Sequence, residues 1–151
     1  MEDTNTFKGI VDFALEKEAE AKALYESLAN RIESNRSTSI FTELAEQEGK
    51  HYEALKKLDF SKIKETSGKP VPDLKISDFL HDVPYSPDMT YQDILVLAMK
   101  SEEHSHSLYS GLAKHSSDPD FKNLFEFLAK QEARHKLRLE TEYDDYILTQ
   151  D

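Results

Sequence analysis

Residues 47–51 read Gln47-Glu48-Gly49-Lys50-His51, and residues 131–135 read Gln131-Glu132-Ala133-Arg134-His135. Each holds a Glu-x-x-His, a spacing that puts both side chains on one face of a helix. The copies are separated by a constant offset, since 132−48 and 135−51 both give 84. The same offset links Glu18 to Glu102, so each Glu-x-x-His has a further Glu at an equal distance upstream. One Glu from each of two helices, with Glu-x-x-His from each of two others, is a donor set suited to a pair of transition-metal ions inside four helices.

The repeat extends beyond these six positions. Thr6 matches Thr90, Ile10 matches Ile94, Ala14 matches Ala98, and Leu24-Tyr25 matches Leu108-Tyr109. Leu28-Ala29, Phe41, Leu44-Ala45, Gln47 and Leu55 recur in the same way. That is about 15 identities over some 50 ungapped positions, where average composition gives about 3. The chain therefore reads as a duplicated helix pair, 6–58 and 90–142, joined by a crossover at 59–89.

Composition narrows the classes. A chain of 151 residues suits one domain with a single core, here 1–151. Only 4 Gly and 5 Pro favour long helices. A net charge of −11 opposes binding to nucleic acid or anionic membrane. No Cys is present, which excludes disulfides and Cys-ligated iron or zinc within these residues. The polar start, Met1 to Lys8, has no apolar signal region, and no run approaches a membrane span. The expected location is cytoplasmic.

Four helices follow from the periodicity. The first spans about Thr6–Ile32, with Phe7, Val11, Ala14, Glu18, Ala21, Tyr25, Leu28 and Ile32 in its apolar seam. The second spans about Ser37–Leu58 through Phe41, Leu44, Glu48, His51, Leu55 and Leu58. The third starts at a Thr90 cap, with Asp93 completing the box, and runs through Tyr91, Leu95, Ala98, Glu102, Ser105, Tyr109 and Leu112. The fourth opens at Asp118-Pro119 and runs through Phe121, Phe125, Leu128, Glu132, His135, Leu139 and Tyr146. Short links make each pair an antiparallel hairpin. The crossover carries Pro70, Pro72, Pro84 and Pro87, and Ile76–His81 reads as a short helical turn within it.

All six candidate ligands fall in the seams. A buried carboxylate must be paired, protonated or metal-bound, and neighbouring carboxylates raise one another's pKa. No Lys or Arg shares the seam near them, whereas two divalent ions balance four carboxylates. Carboxylate and imidazole suit iron, manganese or zinc. Tyr25 and Tyr109 follow Glu18 and Glu102 by seven residues, about 10.5 Å along the axis. They read either as donors to a ligand carboxylate or electron relays, or as aromatic core fillers. Gln47 and Gln131 suggest hydrogen bonds between helices. His106, whose counterpart is Lys22, reads as solvated, and Glu103 and Glu140–Asp145 as surface.

With these residues in place the chain resembles the ferritin-like di-iron proteins of the rubrerythrin type. The resemblance spans all four helices and rests on Glu18-x-x-Ala21-x-x-x-Tyr25, Gln47-Glu48-x-x-His51, Glu102-x-x-Ser105-x-x-x-Tyr109 and Gln131-Glu132-x-x-His135. It implies an all-α fold, a ferritin-like four-helix bundle of two hairpins joined by a long crossover. It implies two iron ions that react with hydrogen peroxide or dioxygen, in a homodimer. Glu18 and Glu102 would then be terminal ligands, Glu48 and Glu132 bridges, and His51 and His135 one imidazole per iron. There are two departures. Rubrerythrins carry a Cys-bound iron domain that supplies electrons, and this chain has no Cys, so electrons must come from a separate donor protein. Rubrerythrins also tend to have a further Glu where this chain has Ser105. The expected function is a di-iron oxidoreductase; the alternatives are a non-catalytic metal protein for storage, buffering or oxygen sensing, and a metal-free helical module.

Overall fold

The computed structural model describes residues 6–31, 35–62, 85–86 and 88–150. Four helices organise them: α1 (Phe7–Arg31), α2 (Asn35–Lys56), α3 (Tyr91–Lys114) and α4 (Pro119–Gln150), with a 3-10 turn at Phe60–Lys62. The chain divides into two compact units, Met1–Pro72 and Asp73–Asp151. The first holds α1 and α2, the second α3 and α4. Ile32 and the expected turn at Ile76–His81 lie outside the described residues. Among those described, no helix is long and apolar enough to cross a membrane.

The helix starts follow from their capping side chains. Thr6 Oγ1 accepts from the Gly9 N–H at 3.0 Å, ahead of α1. At α3 the Asp93 N–H donates to Thr90 Oγ1 at 3.1 Å, and the Thr90 N–H to Asp93 Oδ2 at 3.4 Å, closing the capping box. At α4, Asp118 Oδ1 accepts from the Asp120 and Phe121 N–H groups at 2.9 and 3.2 Å, with Pro119 first in the helix. At the end of α3 the Ser116 hydroxyl donates to the Leu112 carbonyl at 2.6 Å. The expected limits of α2 shift by two residues at each end, Asn35 for Ser37 and Lys56 for Leu58. Beyond Lys56 the chain tightens, and Asp59 Oδ1 takes the Ser61 N–H and hydroxyl at 3.0 and 2.6 Å.

Each unit is an antiparallel hairpin. In the first, Phe7 meets Phe60 edge-on at 6.3 Å and Tyr25 stacks on Phe41 at 6.0 Å, so early residues of α1 meet the chain beyond α2. In the second, Tyr109 stacks on Phe125 at 6.4 Å, while Tyr91 reaches Glu142 at the far end of α4. The seams are buried nearly as the periodicity requires. Phe7, Val11, Ala14, Tyr25, Leu28, Phe41, Leu44 and Leu55 are buried in the first unit, and their repeat partners Leu95, Ala98, Tyr109, Leu112, Phe125, Leu128 and Leu139 in the second. Ala21, Leu58, Tyr91, Ser105 and Tyr146 are only half-buried. Ile10, Ile94 and Leu108, outside the narrow seam, are buried too, because a packed helix buries a stripe wider than one column.

Candidate metal centre

In the first hairpin, α1 presents Glu18 and α2 presents Glu48 and His51, all buried. Each offers one ligand atom, and these atoms lie within 4.8 Å of one another. His51 Nδ1 is 3.6 Å from Glu18 Oε2 and 3.7 Å from Glu48 Oε1. In the second hairpin, α3 presents Glu102 and α4 presents Glu132 and His135, also buried and also within 4.8 Å. His135 Nδ1 is 3.6 Å from Glu102 Oε2 and 3.8 Å from Glu132 Oε1.

Those spacings are informative. An N–H···O hydrogen bond is about 2.7–3.2 Å long, so these are not good hydrogen bonds. Two ligand atoms each about 2.0–2.2 Å from one ion are separated by roughly 3–4 Å, the range seen here. Among the described residues no Lys or Arg is buried, and a cation bound among these carboxylates would offset their charge. The donor atoms are hard oxygens and borderline imidazole nitrogens, which fit a divalent transition ion. These buried groups could thus hold metal ions.

The neighbouring side chains divide into those placed as expected and those not. Tyr25 and Tyr109 are buried two turns past Glu18 and Glu102, stacked on Phe41 and Phe125 at interplanar angles of 25° and 14°. Glu103 is exposed, so the helical register that selects Glu102 holds. The Gln47 amide donates to Glu43 Oε1 within α2 at 3.3 Å. One turn along the same helix, that carboxylate is the nearer acceptor. His106 is half-buried, not solvated, with Nδ1 2.8 Å from the Ala129 carbonyl, which ties α3 to α4. Its counterpart Lys22 is exposed and pairs with Glu26 at 2.6 Å.

Glu142 is the residue the sequence reading missed. The stretch Glu140–Asp145 was expected to face solvent, yet Glu142 is only 4% exposed and accepts from the Tyr91 hydroxyl at 2.9 Å. Tyr146 packs edge-on against Tyr91 at 5.0 Å. Two signals point to it. Glu142 continues the 3-4 spacing of His135 and Leu139, and its repeat partner is the apolar Leu58.

Comparison with known proteins agrees with an all-helical reading. The family described as a ferritin-like domain matches residues 8–142. A hypothetical protein from Pyrococcus furiosus is similar in structure, with a TM-score of 0.72 and 26% identity over 92% of this chain and 89% of its own. No curated protein matches at a significant level.

Proposed function

Since this chain belongs to the ferritin-like domain family, an all-α helical-bundle fold, we propose that its two Glu-Glu-His sets together hold two iron ions and that the protein is an oxidoreductase of the rubrerythrin-like kind. The observation that carries this reading is the match between the sets. They have the same residue types, the same burial, and His-to-carboxylate spacings of 3.6 and 3.7 Å in one and 3.6 and 3.8 Å in the other.

In this reading Glu18 and Glu102 would serve as terminal ligands, Glu48 and Glu132 as the carboxylates available to bridge, and His51 and His135 would each bring one imidazole. When bound, iron supplies one electron per ion, enough with two protons to take hydrogen peroxide to two waters; dioxygen is the other candidate oxidant. The protein's part is to fix donor positions and keep bulk water out. Ala14, Leu44, Ala98 and Leu128, all buried one turn from a ligand, supply the dry lining. Tyr25 and Tyr109 act beside the carboxylates, as phenol donors or as one-electron relays. Electrons return from a donor outside these 151 residues, which contain no Cys to hold a further iron. Manganese or zinc would occupy the same donors without supporting the same turnover.

The test is an anaerobic titration of the apo-protein with ferrous iron, followed by rapid mixing with peroxide. The expected result is two tight equivalents per chain and oxidation well ahead of iron in buffer. Two equivalents with no acceleration would point instead to storage, buffering or sensing. No tight binding would end the metal reading.

A further inference from the structure

Three of the six histidines have a glutamate three residues before them: His51, His106 and His135. Two of these pairs belong to the buried donor sets. The other, Glu103-x-x-His106 on α3, is displaced by one residue from Glu102 and is therefore turned outward. Glu102 is 2% exposed, whereas Glu103 faces solvent and His106 is half-buried. Residues three apart share a helix face, and a histidine on a helix leans back toward the turn before it, here the turn that holds Glu103. In the buried pairs the same spacing brings an imidazole nitrogen and a carboxylate oxygen to 3.7 and 3.8 Å, the separation of two donors on one ion. Glu103, being exposed, can rotate to meet its histidine.

The ring of His106 is already set for a ligand. Its Nδ1 lies 2.8 Å from the Ala129 carbonyl. A carbonyl oxygen only accepts, so Nδ1 carries the proton and Nε2 of the neutral ring presents a lone pair. An imidazole N–H held by a main-chain carbonyl is the support that metal-binding histidines commonly have. It fixes the tautomer and raises the basicity of the other nitrogen. The first hairpin shows that packing alone does not call for this pair. Its equivalents are Ala19 and Lys22. The Lys22 stem lies close over Gly49, and its charge is paired with Glu26 at 2.6 Å. Where one hairpin has a neutralised cation, the other has a carboxylate and an imidazole.

We propose that Glu103 and His106 form a third metal site, for a divalent transition ion, on the outer face of the second hairpin. Carboxylate and imidazole suit zinc, manganese or ferrous iron. Two protein donors leave the remaining positions to water, so the ion is held less tightly than in the buried layer and exchanges with solution. The second hairpin thereby keeps an exchangeable ion beside Glu102. The site is independent of the proposed oxidoreductase activity.

Nitrogen NMR of the histidine rings during a zinc titration of the full chain, at mildly alkaline pH, tests this. Without metal, His106 should show a protonated Nδ1 and an unprotonated Nε2. Once any tight equivalents are taken up, further zinc should move the His106 Nε2 signal and saturate it with one more equivalent. Glu103→Gln should weaken that step by about 10-fold or more. His106→Gln, whose amide can still donate to the Ala129 carbonyl, should abolish it and leave the tight equivalents and the melting temperature nearly unchanged. A His106 Nε2 signal that stays still to millimolar zinc, or a step of equal affinity in Glu103→Gln, would overturn the inference. Failure of the buried sets to bind would show separately, as missing tight equivalents ahead of the His106 step.

Discussion

The two hairpins are the same device built twice, and they differ in kind at the end furthest from the link between their helices. In the first, Phe7 packs on Phe60, and Leu58 lies half-buried beside the turn. In the second, the matching positions are Tyr91 and Glu142, joined by a 2.9 Å hydrogen bond. Both members of the pair changed character, from apolar to polar. A buried carboxylate costs free energy unless it is hydrogen-bonded, so Glu142 is tolerable because Tyr91 has gained a hydroxyl. The layer of Glu18, Glu48 and His51, by contrast, repeats as Glu102, Glu132 and His135 with hardly any change in geometry. Hydrophobic closure can be rebuilt in several ways; donor atoms set to hold an ion have far less freedom.

The equivalence of the ligand layers is the first thing to break. Glu48→Leu and Glu132→Leu should each abolish tight metal binding, read by titration, to the same extent. Urea unfolding of either apo variant should show a gain of about 1–3 kcal/mol, because one of several crowded buried carboxylates has been replaced by an apolar side chain. Unequal losses of metal would mean the hairpins do not contribute alike. Next come the stacked aromatics. Phe41→Ala and Phe125→Ala each remove a fully buried ring and should cost about 3–5 kcal/mol, with a matched fall in melting temperature.

The divergent ends call for a different experiment. Tyr91→Phe, which gives the second hairpin the first one's ring, removes the phenol donor to Glu142 and should cost about 1–3 kcal/mol. Tyr91→Phe combined with Glu142→Leu restores apolar closure and should recover most of that loss, the non-additivity expected of partners in contact. The smallest change makes α2 more like α4. Gly49 sits where the repeat has Ala133. A Cβ there would lie 3.1 Å from Lys22 Cε and 3.4 Å from its Cδ, the mobile part of an exposed side chain. Lys22 can move, so Gly49→Ala should stabilise by about 0.5–1 kcal/mol in thermal melts.

Much of this was legible in the sequence, for identifiable reasons. Helix positions followed from apolar periodicity, and Thr90 and Asp118-Pro119 marked two starts because capping is local chemistry. The convergence of Glu18, Glu48 and His51 was readable because the same spacing occurs again 84 residues on. Glu142 was not, because an acidic run at the end of a helix looks like a wet face unless the seam is followed through it. His106 was misjudged because its partner is a main-chain carbonyl, which leaves no mark in sequence.

The near-identity of the two donor sets also bears on how such a protein would fill. Two wells of equal depth have no intrinsic order of occupation. Independent equal sites give stepwise binding constants that differ by about fourfold on statistics alone, and any departure from that ratio is a coupling free energy. The duplication thus supplies its own zero of reference. The shape of a loading curve reports directly whether the first ion helps or hinders the second.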